Sequence, residues 1–95
     1  MIKTQKEIKL KTGETLPKGL AVSFIPENWS RCLVQGSRIE PYRVRISSAF
    51  KTPSMEELEE WVNDGVCESI AGERVEPDGW DEHGSPSWLL AMGLI

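Results

Sequence analysis

Residues 52–65 read TPSMEELEEWVNDG, and this stretch marks both ends of a helix. Pro53 suits a first helical turn, and Ser54 followed by Glu57 matches the S-x-x-E capping box. Gly65 suits the left-handed residue just past the end. Met55, Leu58, Trp61 and Val62 fall on one stripe at helical spacing. Glu56, Glu57, Glu59 and Glu60 face away, the earliest of them favoured by the positive end of the helix dipole. The spacing predicts a helix over 53–64 whose apolar stripe has to be buried, so the rest of the chain is read for what it packs against.

Upstream the period changes to two. Ile8 and Leu10 alternate with Lys9 and Lys11, Val22 and Phe24 with Ala21 and Ser23, and Tyr42, Val44 and Ile46 with Arg43, Arg45 and Ser47. That is the pattern of half-buried strands. KTGE, LPKG, IPEN and VQGS lie between them and supply turn residues. Four or five short antiparallel strands with close turns predict a small bent sheet, or a partial barrel of the SH3-like kind, over residues 6–50.

Downstream, VCESI and ERVEP around Ala71-Gly72 predict a short hairpin, and PDG at 77–79 a turn. Ser85 and Pro86 read as a cap and a first-turn proline for a terminal helix over 86–94 that is apolar on every face. Two turns of helix are marginal alone, so burial has to hold it. The expectation is a single α+β domain over 1–95, with the sheet covered by the 53–64 helix, the hairpin and the terminal helix. The length, with 39% hydrophobic and 27% charged residues, suits one core.

Several function classes are disfavoured. The basic N-terminal MIKTQKEIKLK has no apolar run behind it, so neither a secretory signal nor an anchor is expected. Trp88–Ile95 is far shorter than the ~20 residues of a bilayer-spanning helix. A cytoplasmic protein without membrane contact is expected. Cys32 and Cys67 belong to no CxxC or Cys/His cluster, which argues against zinc. They read as two reduced core thiols, or as a disulfide if their strands are neighbours. There is no phosphate-binding glycine loop and no nucleophile elbow, and His83 is the lone histidine. No catalytic residue, cofactor or metal is expected.

The carboxylates Glu76, Asp78, Asp81 and Glu82 beside His83 invite a metal or acid/base reading. Their spacing fits no ligand template, and the simpler expectation is a turn at Asp78-Gly79, solvated Asp81 and Glu82, and a lead into Ser85. Charge distribution says more. Residues 1–51 hold ten Lys/Arg against four Glu, a formal +6, whereas residues 52–95 hold Arg74 against eleven acids, a formal −10. A basic sheet face of Lys9, Lys11, Arg43 and Arg45 would suit a nucleic-acid backbone. The acidic helix face of Glu56, Glu57, Glu59 and Glu60 would instead suit a basic protein surface. Among the four tryptophans, Trp61 and Trp88 fall on faces predicted to be buried. Trp29 in PENWS and Trp80 in PDGWD lie in loops, where exposed aromatics favour recognition, and they are candidate partner-binding residues.

The tail VEPDGWDEHGSPSWLLAMGLI resembles the C-terminus of small uncharacterised proteins of bacteriophages and integrated mobile elements that end in an EPDG…GSPSWLLA-GLI-like pattern. The resemblance covers about the last fifth of the chain and brings no activity with it. It implies a setting in which proteins of this size commonly bind a host or phage protein. The expectation is therefore a non-enzymatic accessory protein acting through protein–protein contacts, with an unknown protein partner for which the bacterial host is one source; the alternative is an SH3-like nucleic-acid-binding module.

Overall fold

The computed structural model describes residues 2–95, which form an α+β protein of several short antiparallel sheets and three helices. The chain divides into two compact units, one ending at Lys51 and the other spanning Thr52–Ile95.

In the N-terminal unit, β1 (Ile8–Lys9) pairs with β2 (Thr15–Leu16), and a separate sheet has the order β3 (Val22–Phe24), β4 (Arg31–Val34), β5 (Tyr42–Arg45). The predicted alternation holds on β5, where Tyr42 and Val44 are buried while Arg43 and Arg45 are exposed. Register places Cys32 opposite Val44 and Val34 opposite Tyr42, so one sheet face carries the core. The chain then turns at once into α1 (Ile46–Ala49), a single helical turn that the alternation of Ile46 and Ser47 concealed. Ile46, Ala49 and Phe50 are fully buried, and the Phe50 ring stacks on Phe24 with centroids 6.3 Å apart. The N-terminal segment is tied down by the Gln5 and Lys6 amides donating to Ala49 O and by the Gln5 side chain accepting from the Lys51 amide at 2.9 Å. Among the described residues there is no closed barrel: β1–β2 and β3–β5 are distinct sheets, because pairing stops after two residues in β1.

Tyr42 is the pinned residue of this unit. Its hydroxyl donates to Glu14 Oε2 at 2.7 Å, and the Arg38 guanidinium lies 3.7 Å above the ring. A Cβ added at Gly36 would come within 2.8 Å of Tyr42 Cε2, and a ring fixed at both its face and its tip cannot swing aside. Gly36→Ala is therefore expected to cost about 1–3 kcal/mol in a urea melt, the range for overpacking. A loss below about 0.5 kcal/mol would show that the ring moves freely.

The C-terminal unit opens with α2 (Met55–Asp64), capped as the sequence predicts: Ser54 Oγ accepts from the Glu57 amide at 3.2 Å, and Gly65 adopts φ 69°. Pro53 precedes the cap instead of starting the helix. The expected hairpin is present as β6 (Cys67–Glu68) and β7 (Arg74–Val75), with the turn at Gly72 in the left-handed region. The last helix, α3 (Trp88–Ala91), is shorter than predicted, and Ser87 caps it, accepting from the Leu90 amide at 3.0 Å. Ser85 and Pro86 are extended because their backbone is used elsewhere: Pro86 O accepts from the Ile70 amide and the Ser87 amide donates to Gly79 O. Trp88 and Leu89 are buried with Leu58, Cys67 and Ile70 in the core, and α3 touches both α2 and β6. Both cysteines are free and buried, and burial pushes the Cys32 thiol up to about 11. No helix among the described residues is long and apolar enough to cross a membrane.

Candidate interaction sites

The carboxylate and histidine loop is built around Asp81, which is buried, contrary to its expected solvation. The sequence makes a turn at Pro77-Asp78-Gly79, closed by the Gly79 amide donating to Glu76 O, and a second at Gly84 with φ 80°. Between them the Asp81 carboxylate accepts from Ser69 Oγ at 2.7 Å, from the His83 amide at 2.9 Å and from the Ser85 amide at 3.0 Å. Ser69 Oγ also accepts from the Glu73 amide at 3.1 Å, so one buried network joins the hairpin to the loop. Burial acts to raise the Asp81 carboxyl, but the Ser69, Ser85 and His83 hydrogen bonds outweigh it, helped by the His83 charge, and hold it below the ordinary carboxylate value. The buried Ser85 Oγ has no hydrogen-bond partner among the described residues.

The side chains that converge here are not the predicted set. Glu73, which sequence spacing left out, comes within 3.4 Å of His83 Nε2, and Glu82 lies 3.7 Å from the same atom. These three are the described residues whose donor atoms approach metal-ligand spacing, all lying within 4.8 Å of one another. Asp78 and Glu76 do not join them, and Asp81 is occupied by its own network. The network through Ser69, which accepts from the Glu73 amide and donates to the Asp81 carboxylate, joins Glu73 to the His83 loop and is invisible in local spacing.

Beside this loop, Trp80 is 59% exposed and held in place by a bridge between its backbone and Pro86. It borders an open cleft of about 420 Å³ whose wall includes Glu73, Glu76, Asp81 and Glu82, with Arg74 the one basic residue. A second cleft of about 540 Å³ is bordered by Trp61, Asp64, Glu68 and Arg74. On α2 the four glutamates are exposed as predicted, but Leu58 alone of the apolar stripe is buried. Trp61 is half-buried, and Met55 and Val62 are exposed at the edge of the stripe. Trp29, in the N-terminal unit, is half-buried in the turn before β4.

The predicted basic face is also rearranged. Lys9 and the Lys11 turn belong to the β1–β2 hairpin, whereas Arg43 and Arg45 lie on the three-stranded sheet, so the four are not on one sheet face. The residue that joins the arginines is Arg31, directly opposite Arg45 in the β4–β5 register, with Leu33 opposite Arg43. Leu33 obscured it, since an apolar residue at an outward position hides the alternation that would have marked β4 as half-buried. No family model, no curated protein and no solved structure matches the chain.

Proposed function

We propose that this chain is a non-enzymatic binding protein acting through protein–protein contacts, and that Trp80 with its acidic cleft is the surface that does so. The observation that carries the reading is a large aromatic ring, 59% exposed on a fixed backbone, beside a cleft walled by carboxylates. Such a site fits a lysine or arginine side chain of the partner, with the cation over the indole face and its N–H groups donating to Glu76 or Glu82. The glutamate face of α2 belongs to the same unit, whose formal charge of −10 would steer a basic partner towards it. The tail resemblance supports a cytoplasmic accessory role in a phage or mobile element. Five short strands with close turns support an SH3-like partial barrel as the finer reading of the N-terminal unit.

The test is a titration of the labelled protein with a short arginine-containing peptide, followed by NMR. The Trp80 indole N–H signal is expected to move saturably while those of Trp61 and Trp88 stay in place, and Trp80→Ala should remove the response. In a complex with the full partner the same substitution should weaken binding about 30-fold or more, as for an aromatic hot spot. If the Trp80 signal does not move at millimolar peptide, the cleft is not a basic side-chain site.

A further inference from the structure

We infer that the outer face of the β3–β4–β5 sheet is a phosphate-backbone binding surface for double-stranded nucleic acid, formed by Arg31, Arg43 and Arg45. This surface shares no residue with the Trp80 cleft, and all three arginines belong to the N-terminal unit.

The register carries the inference. Hydrogen-bonded and non-hydrogen-bonded pairs alternate along an antiparallel ladder. The Ile46 amide donates to Ser30 O at 2.9 Å, so Ser30 and Ile46 form a hydrogen-bonded pair. Arg31 and Arg45, the next pair along, are therefore of the non-hydrogen-bonded kind, with Cα atoms only about 4.5 Å apart. Like charges placed directly opposite each other destabilise a sheet. A sheet serving stability alone would put a carboxylate at one of these positions, as Glu68 faces Arg74 across β6 and β7. No ion pair reaches Arg31, Arg43 or Arg45 among the described residues. A unit with a formal charge of +6 thus gathers three guanidinium groups on one strand pair and provides no counter-charge for them.

The chemistry of the face selects the ligand. Arg43 and Arg45 are one strand repeat apart, roughly 6.8 Å, which lets two forked side chains contact successive phosphates of one backbone. The remaining outward residues of the same row are Ser23 and Leu33, while Phe24 and Tyr42 have the opposite parity and serve the core side. The strands therefore offer charge without a ring on which an unpaired base could stack, the usual device of single-strand binders. Recognition should follow the duplex backbone with little regard to sequence.

Fluorescence anisotropy with a labelled 20-base-pair DNA duplex tests this on the full chain. Binding is expected in the micromolar range at about 50 mM salt and should fall about 40-fold by about 200 mM, the slope for three neutralised phosphates. Two double variants make the same change in net charge. Arg43→Glu with Arg45→Glu should abolish binding, and Lys9→Glu with Lys11→Glu, in the β1–β2 hairpin, should change affinity less than threefold. Arg45→Glu alone should weaken binding at least tenfold while raising the melting temperature by about 2–8 °C, because it places opposite charges across from Arg31. Absence of binding at about 50 mM salt, equal effects of the two double variants, or a melting temperature lowered by Arg45→Glu would each overturn the inference. Tighter binding to a single-stranded probe of the same length would overturn the duplex assignment.

Discussion

Alanine in place of Trp88 should destabilise the protein by about 3–5 kcal/mol, the largest effect expected of any single substitution in the C-terminal unit. Trp88 is 6% exposed and opens a helix of four residues, too short to persist without its burial. Removing the indole leaves a cavity in the core of the C-terminal unit, where α3 packs against α2 and β6, and takes away the burial that holds α3. For a unit the size of Thr52–Ile95, with stability of roughly 0.05–0.15 kcal/mol per residue, such a loss approaches the whole margin. Guanidinium titration followed by hydrogen exchange at the amides of α2, β6 and α3 measures it. A loss below about 1 kcal/mol would mean that the tail is held by something other than Trp88.

Asp81→Ala is expected to cost about 3 kcal/mol, because it removes one charged acceptor from three donors, two of them backbone amides with no other partner among the described residues. The effect should depend on pH in a set direction. The folded carboxyl is held below its ordinary value, so it favours folding wherever the unfolded group is ionised. That contribution is complete above about pH 5 and is lost as pH falls through the unfolded value near 4 and on through the lower folded value. The gap between wild type and Asp81→Ala should be widest at neutral pH and narrow as pH falls through the carboxylate range. A gap between their urea midpoints that stays constant from pH 7 to 3 would show that the carboxylate acts by shape and not by charge.

The elements read well from sequence are those whose signals are local. Ser54, Glu57 and Gly65 mark α2 by bonds made within a few residues, and the structure forms those bonds. Gly72 and Pro77-Asp78-Gly79 mark turns for the same reason. Ser85-Pro86 was locally as good a helix start, yet Ile70 and Gly79 claim the backbone on either side and the helix begins two residues later, behind Ser87. Glu73 and Arg31 were missed as site residues for a related reason: Glu73 meets His83 through the Ser69–Asp81 network and Arg31 meets Arg45 across the β4–β5 ladder, and no window of sequence contains either. The α2 glutamates were read as exposed because helical phase is a local property, whereas loop position alone left the exposure of Trp29 and Trp80 open; the structure has Trp80 exposed and Trp29 half-buried.

The two cysteines, finally, equip the protein to report its own opening. Cys32 is fully buried in one unit with its thiol pushed up to about 11, and Cys67 is 1% exposed in the other, with its Sγ donating to Glu68 O. A thiol reagent attacks only an exposed thiolate, so in the native fold both should be silent. Each becomes reactive when its surroundings open, at a rate set by that local equilibrium. Mass spectrometry of a slow alkylation would then give two separate clocks on one unmodified chain, and the order in which the residues are tagged would say which half breathes first.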